Sequence, residues 1–348
     1  MSEPKACILS VSGLQLTGEE RKFLTSANPW AVILMGRSVS TRVQVSALVD
    51  EIFTALGRDC LIFIDQEGGR VRRLRPPEWP DFPPPGAYAA IYRKNPEAGV
   101  EAAWLGHRLI ASELTQIGIR ADCAPVLDML HPGAHDIVGD RALGDKPEHV
   151  ATLGRAALEG LGDGGVAGVV KHIPGHGRAL LDSHLALPTV SAPLEELETD
   201  FAPFSALRDA PMAMTAHIAY EALDPGIAAT VSRKIVDDVI RGRIGFDGLL
   251  MSDDLGMSAL GGTLADRASG AFGAGCDIAL HCAGFVKEAG AILREMQDIA
   301  EVSPSLSGKA KARAEAAESA TLHAVEFDME EGWERFNSLL ALQGEALA

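Results

Sequence analysis

Lys171, His172, His176, Asp182 and His184 fall within one 18-residue stretch, KHIPGHGRALLDSHLALP (171–188). An amine, three imidazoles and a carboxylate this close together can exchange protons, carry a nucleophile or ligate a metal. No regular element needs all five. The bland alternative is a solvated loop whose histidines bond to backbone carbonyls, and it accounts for one such residue better than for five. The stretch follows VAGVV, an apolar β-branched run of the kind found in buried strands. A strand that runs out into a dense polar loop is how α/β proteins present reactive groups.

Similar strand ends recur along the chain. ACILSV (6–11), AVILM (31–35) and LIFID (61–65) are apolar runs, the third ending at Asp65. IRADCAPVLDM leads to Asp128, and a loop beyond it carries His131 and Arg141. After VAGVVKH come PMAMTAH (211–217) with His217, DGLLMSDD (247–254) with Asp253 and Asp254, and CDIALHC (276–282) with His281. Helical patterns lie between them: TGEERKFLTSA with a Thr17/Glu20 capping box, TRVQVSALVDEIFTALG closed by Gly57, residues 98–117 closed by Gly118, and 147–162. LEELETDFAPFSALRD, SRKIVDDVIRGRIG and residues 264–274 continue the series.

About eight βα units in succession predict an α/β fold, a single (β/α)8 barrel of TIM type. An open doubly wound sheet would need fewer strands and a glycine fingerprint after the first, which is missing. The tail from about 285 to 346 reads as extra helices packed on the barrel, and no linker marks a second domain within 1–348. The proline-dense QEGGRVRRLRPPEWPDFPPPGAYAAI breaks the rhythm and is expected to form an ordered surface excursion.

Composition narrows the function classes. Among 348 residues the net charge is −17, which disfavours nucleic acid and anionic lipid as partners. Cys7, Cys60, Cys123, Cys276 and Cys282 are scattered, with no C-x-x-C, so buried thiols in a reducing compartment are expected. No run approaches the roughly 20 apolar residues of a membrane span, and MSEPKACILSVSG lacks the apolar core of a signal peptide, so a cytoplasmic location is expected.

A barrel brings its strand ends to one rim, so Asp65, Asp128, Lys171, His172, His217, Asp253, Asp254 and His281 should meet there. Several chemistries fit: glycoside cleavage by a carboxylate nucleophile and a separate proton donor, a Schiff base on Lys171, or a catalytic metal. A sugar-binding barrel without turnover is a further reading. Irregular spacing and the lack of H-x-H or H-E-x-x-H weigh against metal, and nothing near Lys171 marks the phosphate site of an aldolase. The residues alone leave the choice open.

ILMGRS (33–38), IDQEGGRVRRL (64–74), KHIPGHG with DSHLALP (171–188), MTAHIAY (214–220) and LLMSDDLGM (249–257), in that order, resemble family 3 glycoside hydrolases, and within them the single-domain NagZ-type bacterial β-N-acetylglucosaminidases. The likeness spans roughly residues 5 to 300. It implies a retaining, exo-acting enzyme that removes terminal β-linked N-acetylglucosamine, with GlcNAc-1,6-anhydro-MurNAc or its peptides from peptidoglycan recycling as substrate. It places the nucleophile at Asp253, with Asp254 as its non-reacting neighbour, and the proton donor at His184 paired with Asp182. It carries substrate contacts to Asp65, Arg73 (with Arg72 as competing neighbour), Arg141, Lys171 and His172. His176, between Gly175 and Gly177, would shape a mobile loop, and His217 would line the pocket. No cofactor and no metal are implied, and a monomer or weak dimer is expected. The PPEWPDFPPPGA stretch is longer than the family pattern leads one to expect.

Overall fold

The computed structural model describes residues 3–342 apart from 182, 184, 185 and 285. Eight parallel strands form its centre: β1 (Lys5–Ser10), β2 (Pro29–Ile33), β3 (Ile62–Ile64), β6 (Ala121–Asp122), β7 (Ala167–Ile173), β9 (Met212–Thr215), β11 (Leu249–Met251) and β12 (Ala279–His281). Each pairs with the next in that order, and β12 returns to β1. A parallel bridge, Met251 to Ile278, joins β11 to β12 and closes the barrel. The short pairs β4 (Gln66–Gly68) with β5 (Val71–Arg72), and β8 (Thr189–Val190) with β10 (Ala219–Tyr220), lie outside it.

Alternation along the strands sorts their side chains. Ile8, Ile33, Phe63, Cys123, Val169, Met214, Met251 and Leu280 belong to one buried cluster. Their neighbours Val32, Ile64, Val170, Ala213 and Leu250 belong to another, shared with the helices. The two sets face opposite sides of the strands, as the two-residue period requires. At the amino-terminal end Trp30 stacks obliquely on Phe63, ring centres 5.8 Å apart, and its Nε1 donates to Glu318 at 2.6 Å.

The outer ring begins with α1 (Gly18–Ala27), whose capping box joins Thr17 and Glu20. It continues with α2 (Arg42–Leu56), ended by Gly57 at φ 67°, a left-handed conformation that glycine adopts without steric cost. Next come α3 (Pro85–Lys94), α4 (Pro96–Thr115), α5 (Pro147–Asp163) and α6 (Leu194–Ala206). A π-helical segment, Ile235–Arg243, stands where an ordinary helix was expected, its last bond running from Ile244 N to Val239 O. Then follow α7 (Leu264–Ala274), α8 (Ala289–Val302), α9 (Gly308–Ser319) and α10 (Met329–Ala341).

Two expectations need correction. The fourth strand is only two residues long, because Pro125 has no N–H to donate; pairing resumes further on through Val169 N to Ala124 O and Lys171 N to Pro125 O. The proline-rich excursion is less superficial than its composition implies. Trp79 and Phe82 within it are buried, and Phe82 packs on Trp333 and Phe336 of α10. Its last prolines open α3 instead of excluding a helix, since Pro85 occupies the first turn, where no N–H is required. The five cysteines are free thiols, four of them buried. Burial pushes Cys7, Cys60 and Cys276 up to about 12, so they behave as small apolar groups.

Candidate active site

The same two-residue period carries polar side chains into the carboxyl-terminal mouth. Asp65 lies two residues beyond Phe63, Lys171 two beyond Val169, and Asp253 two beyond Met251, so each continues the inward face of its strand. His172 reaches the mouth too, because the pairing of β7 with β9 shifts register between Lys171 and Ile173. Asp65, Arg73, Arg141, Lys171, His172 and Asp253 line one cavity of about 1000 Å³. Asp182 and His184 lie outside the described residues.

A chain of alternating charges forms one wall. Arg73 Nη2 meets Asp65 Oδ2 at 2.7 Å, and Lys171 Nζ stands 3.4 Å from Asp65 Oδ1. Lys171 Nζ also lies 2.6 Å from Glu67 Oε1. Arg141 grips Glu67 with two bonds of 2.8 Å. Burial alone would raise the Asp65 and Glu67 carboxyls, yet the flanking Arg73, Arg141 and Lys171 hold both below their ordinary values. Burial would lower the Lys171 amine, but Glu67 and Asp65 raise it above its usual value. An amine kept protonated between two carboxylates is a hydrogen-bond donor and not a free nucleophile, which removes the basis for a Schiff base.

Glu67 was not singled out from the sequence. It stands two residues beyond Asp65, on the same face, so alternation within IDQEGG was the signal that could have found it. Arg72 pairs with Asp81 and Arg73 with Asp65, so only Arg73 joins the charge chain.

On the same side, beyond β6 between the strands that carry Asp65 and Lys171, Asp128 is fully buried. It accepts from His172 Nδ1 at 2.6 Å, His172 N at 3.2 Å and His176 N at 2.6 Å. Burial would raise this carboxyl, and the two histidines bring it down to about 2. His176 Nε2 lies 3.0 Å from Ser183 Oγ, and burial lowers the His176 imidazole to about 4. Tyr220 donates to Gly175 O at 2.7 Å, and a Cβ on Gly177 would fall 2.1 Å from Met129 O. Gly177 is therefore required by close backbone approach.

The paired aspartates divide as alternation implies. Asp253 is partly exposed to the cavity, while Asp254 is buried and accepts from Gly256 N, Cys282 N and His281 Nδ1, each at 3.0 Å. Two expected rim residues lie beneath it. His217 is fully buried, with Nδ1 2.7 Å from Thr230 Oγ1 and Nε2 donating to Asp254 O at 3.1 Å, so it braces the turn and does not line the pocket. His281 sits between Asp254 and Glu295 instead of in the main cavity. Arg75, Pro76, Pro77, Glu78 and Trp79 of the excursion form the far wall. Among the described residues no group of three or more His, Cys, Asp or Glu is placed to hold a metal ion, and no helix is long and apolar enough to cross a membrane.

The chain is similar to known proteins over most of its length. Residues 3–317 match the glycosyl hydrolase family 3 N-terminal domain. A β-hexosaminidase of Alkalilimnicola ehrlichii is 40% identical over 304 residues, covering 85% of each chain. One from Bordetella avium is 36% identical over 284 residues, 80% of this chain and 81% of that one. NagZ from Neisseria gonorrhoeae, solved in complex with N-trifluoroacetyl-D-glucosamine, superposes with a TM-score of 0.82 at 29% identity, covering 100% of this chain and 99% of the other. A barrel with this charge-lined mouth, matched along nearly its whole length by such relatives, belongs to glycosyl hydrolase family 3 and is a β-N-acetylhexosaminidase.

Proposed function

We propose that the chain is a cytoplasmic, retaining exo-β-N-acetylglucosaminidase acting on GlcNAc-1,6-anhydro-MurNAc or its peptides during peptidoglycan recycling, as one barrel unit and without metal or cofactor. The observation that carries this reading is Asp253, the partly exposed carboxylate of the seventh barrel strand, facing the cavity that Asp65, Lys171, Glu67 and Arg141 line. Its carboxylate attacks the anomeric carbon as the glycosidic bond breaks, and His184 gives its proton to the departing oxygen. His184 then takes a proton from water, whose oxygen displaces Asp253, so the anomeric configuration is retained. Asp182 stabilises the imidazolium form that His184 holds before the first step and regains in the second.

Asp65 accepts from sugar hydroxyls while Arg73, Arg141, Lys171 and His172 donate, and the chain of ion pairs holds these groups in place before substrate arrives. The size of the cavity and the wall at Arg75–Trp79 support an aglycone larger than a simple alcohol.

The test is hydrolysis of an aryl β-N-acetylglucosaminide by wild type, Asp253→Ala and His184→Ala, with and without chelator. Wild-type turnover should ignore the chelator, Asp253→Ala should abolish it, and His184→Ala should slow it by about 10²–10⁴-fold, the usual contribution of a proton donor. Binding of N-acetylglucosamine without wild-type turnover would make the barrel a sugar-binding protein and overturn the reading. GlcNAc-1,6-anhydro-MurNAc as second substrate tests the physiological assignment.

A further inference from the structure

The turn that presents Asp253 is fastened from four directions. Asp254 N donates to Asp253 Oδ1 at 2.7 Å, so the orientation of the Asp253 carboxylate depends on the backbone at Asp254. His217 of the sixth barrel strand's end holds Asp254 O. Arg267 of α7 donates through Nη1 to Leu255 O at 2.7 Å and to Met257 O at 3.0 Å. Cys282 N and His281 Nδ1, at the end of β12, hold Asp254 Oδ1. Behind His281, Glu295 of α8 completes the series, its Oε2 3.0 Å from His281 Nε2.

Both nitrogens of the His281 ring face carboxylate oxygens, which only accept, so both must donate and the ring is an imidazolium. Its side chain is 1% exposed. Burial would lower this imidazole, and Asp254 and Glu295 together lift it to about 9. Arg37 also faces Asp254 and Glu295, with its Nη2 bonded to Ser10 Oγ and Cys282 O, so the cationic and anionic groups here are matched. A second cavity of about 240 Å³, lined by Gly256, Arg267, His281 and Glu295, adjoins the main one, sharing Gly284 and Val286 with it. Asp254 and Cys282 reach the main cavity, but His281 and Glu295 do not line it.

We propose that His281 and Glu295 are positioning residues for Asp253, fixing the nucleophile's turn to α8 through the chain Asp253–Asp254–His281–Glu295. The inference rests on the reading of Asp253 as nucleophile. A displacement of about 1 Å in a reacting group can slow reaction about 10²-fold. Loosening the turn should thus slow formation and breakdown of the glycosyl-enzyme alike, without weakening the hold on the sugar, which comes from the opposite wall.

The experiment compares His281→Gln, Glu295→Gln and the double variant with wild type, in the full chain. It measures kcat and KM on aryl β-N-acetylglucosaminides of differing leaving-group acidity, the rate of covalent trapping by a fluorinated N-acetylglucosaminide, and Tm. Expected is a fall in kcat of about 10- to 10²-fold with KM within about twofold. The fall should be equal for good and poor leaving groups, trapping should slow in parallel, and the double variant should be no worse than the worse single one, since residues acting as a unit are non-additive. Glu295, on the surface side, keeps the test valid if His281→Gln folds poorly. Activity near wild type in folded variants, a fall confined to poor leaving groups, or a lower Tm with unchanged kcat per folded molecule overturns the proposal. A silent wild type, or an active Asp253→Ala, removes the reading of Asp253 itself and this inference with it.

Discussion

Glu67 shows what a single carboxylate can organise. It bonds Arg141 and Lys171 at once, and both are buried. Removing one partner from a buried ion pair typically costs about 3–5 kcal/mol. Glu67→Gln should therefore lower unfolding stability by about 3 kcal/mol in chemical denaturation and raise KM for the aryl glycoside, because two substrate-facing donors lose their common anchor. Asp122 is the opposite case. It is fully buried, with Oδ1 accepting from Gln66 N at 2.9 Å and Oδ2 without a partner, and burial raises it to about 7. A carboxyl that holds its proton more tightly when folded loses stability as pH rises from its ordinary 3.8 towards 7. Asp122→Asn, neutral throughout, should match wild type at pH 4 and exceed its Tm at pH 8; equal Tm values at pH 8 would refute this.

At the scale of elements, glycine contacts separate stability from function. A Cβ on Gly160, where α5 crosses α4, would lie 2.3 Å from Trp104 O, and one on Gly177 would meet Met129 O in the site loop. Gly160→Ala should cost about 1–3 kcal/mol of stability and leave kcat/KM of the folded enzyme unchanged. Gly177→Ala should lower kcat/KM about tenfold or more by displacing the loop. Thermal melts and steady-state rates on both variants decide the matter. The barrel itself was legible because VAGVVKH, DGLLMSDD and their counterparts are apolar runs ending in polar groups, a local pattern set by burial on both faces. The capping box at Thr17 and Glu20 was legible for the same reason. The depths of His217 and His281 were not, since both end strand motifs and only the packing of Thr230 and α8 draws them below the rim. Nor was Trp79: a proline-rich composition marks the backbone conformation but says nothing of an indole buried within it.

For the molecule as a whole, the charge balance sets a pH window. Asp65, Glu67, Asp128 and Asp254 are held below their ordinary values, so their contribution is present above about pH 4.5 and fades as acid protonates them. The raised imidazole of His281 contributes fully below 6.5 and is lost as pH climbs through about 9. The net charge of −17 adds self-repulsion on the alkaline side. The buried imidazoles of His107, His176 and His217 are held below their ordinary 6.5, so they add stability as pH rises to that value. Tm plotted against pH should therefore peak near about 6.5, and a maximum below about pH 5 or above about pH 8 would contradict these assignments. The ring order has another consequence. Strand β1 pairs with β2 on one side and with β12 on the other, and Ala6 N bonds to Pro304 O beyond it. On the ribosome the first strand must wait with one edge open until His281 and the residues after it have emerged. Asp253 has left the tunnel by then but lacks the far side of its turn. The nascent chain can assemble its sugar-facing wall early, yet completes the catalytic centre only once β12 has emerged, and until then the edge of β1 stays open.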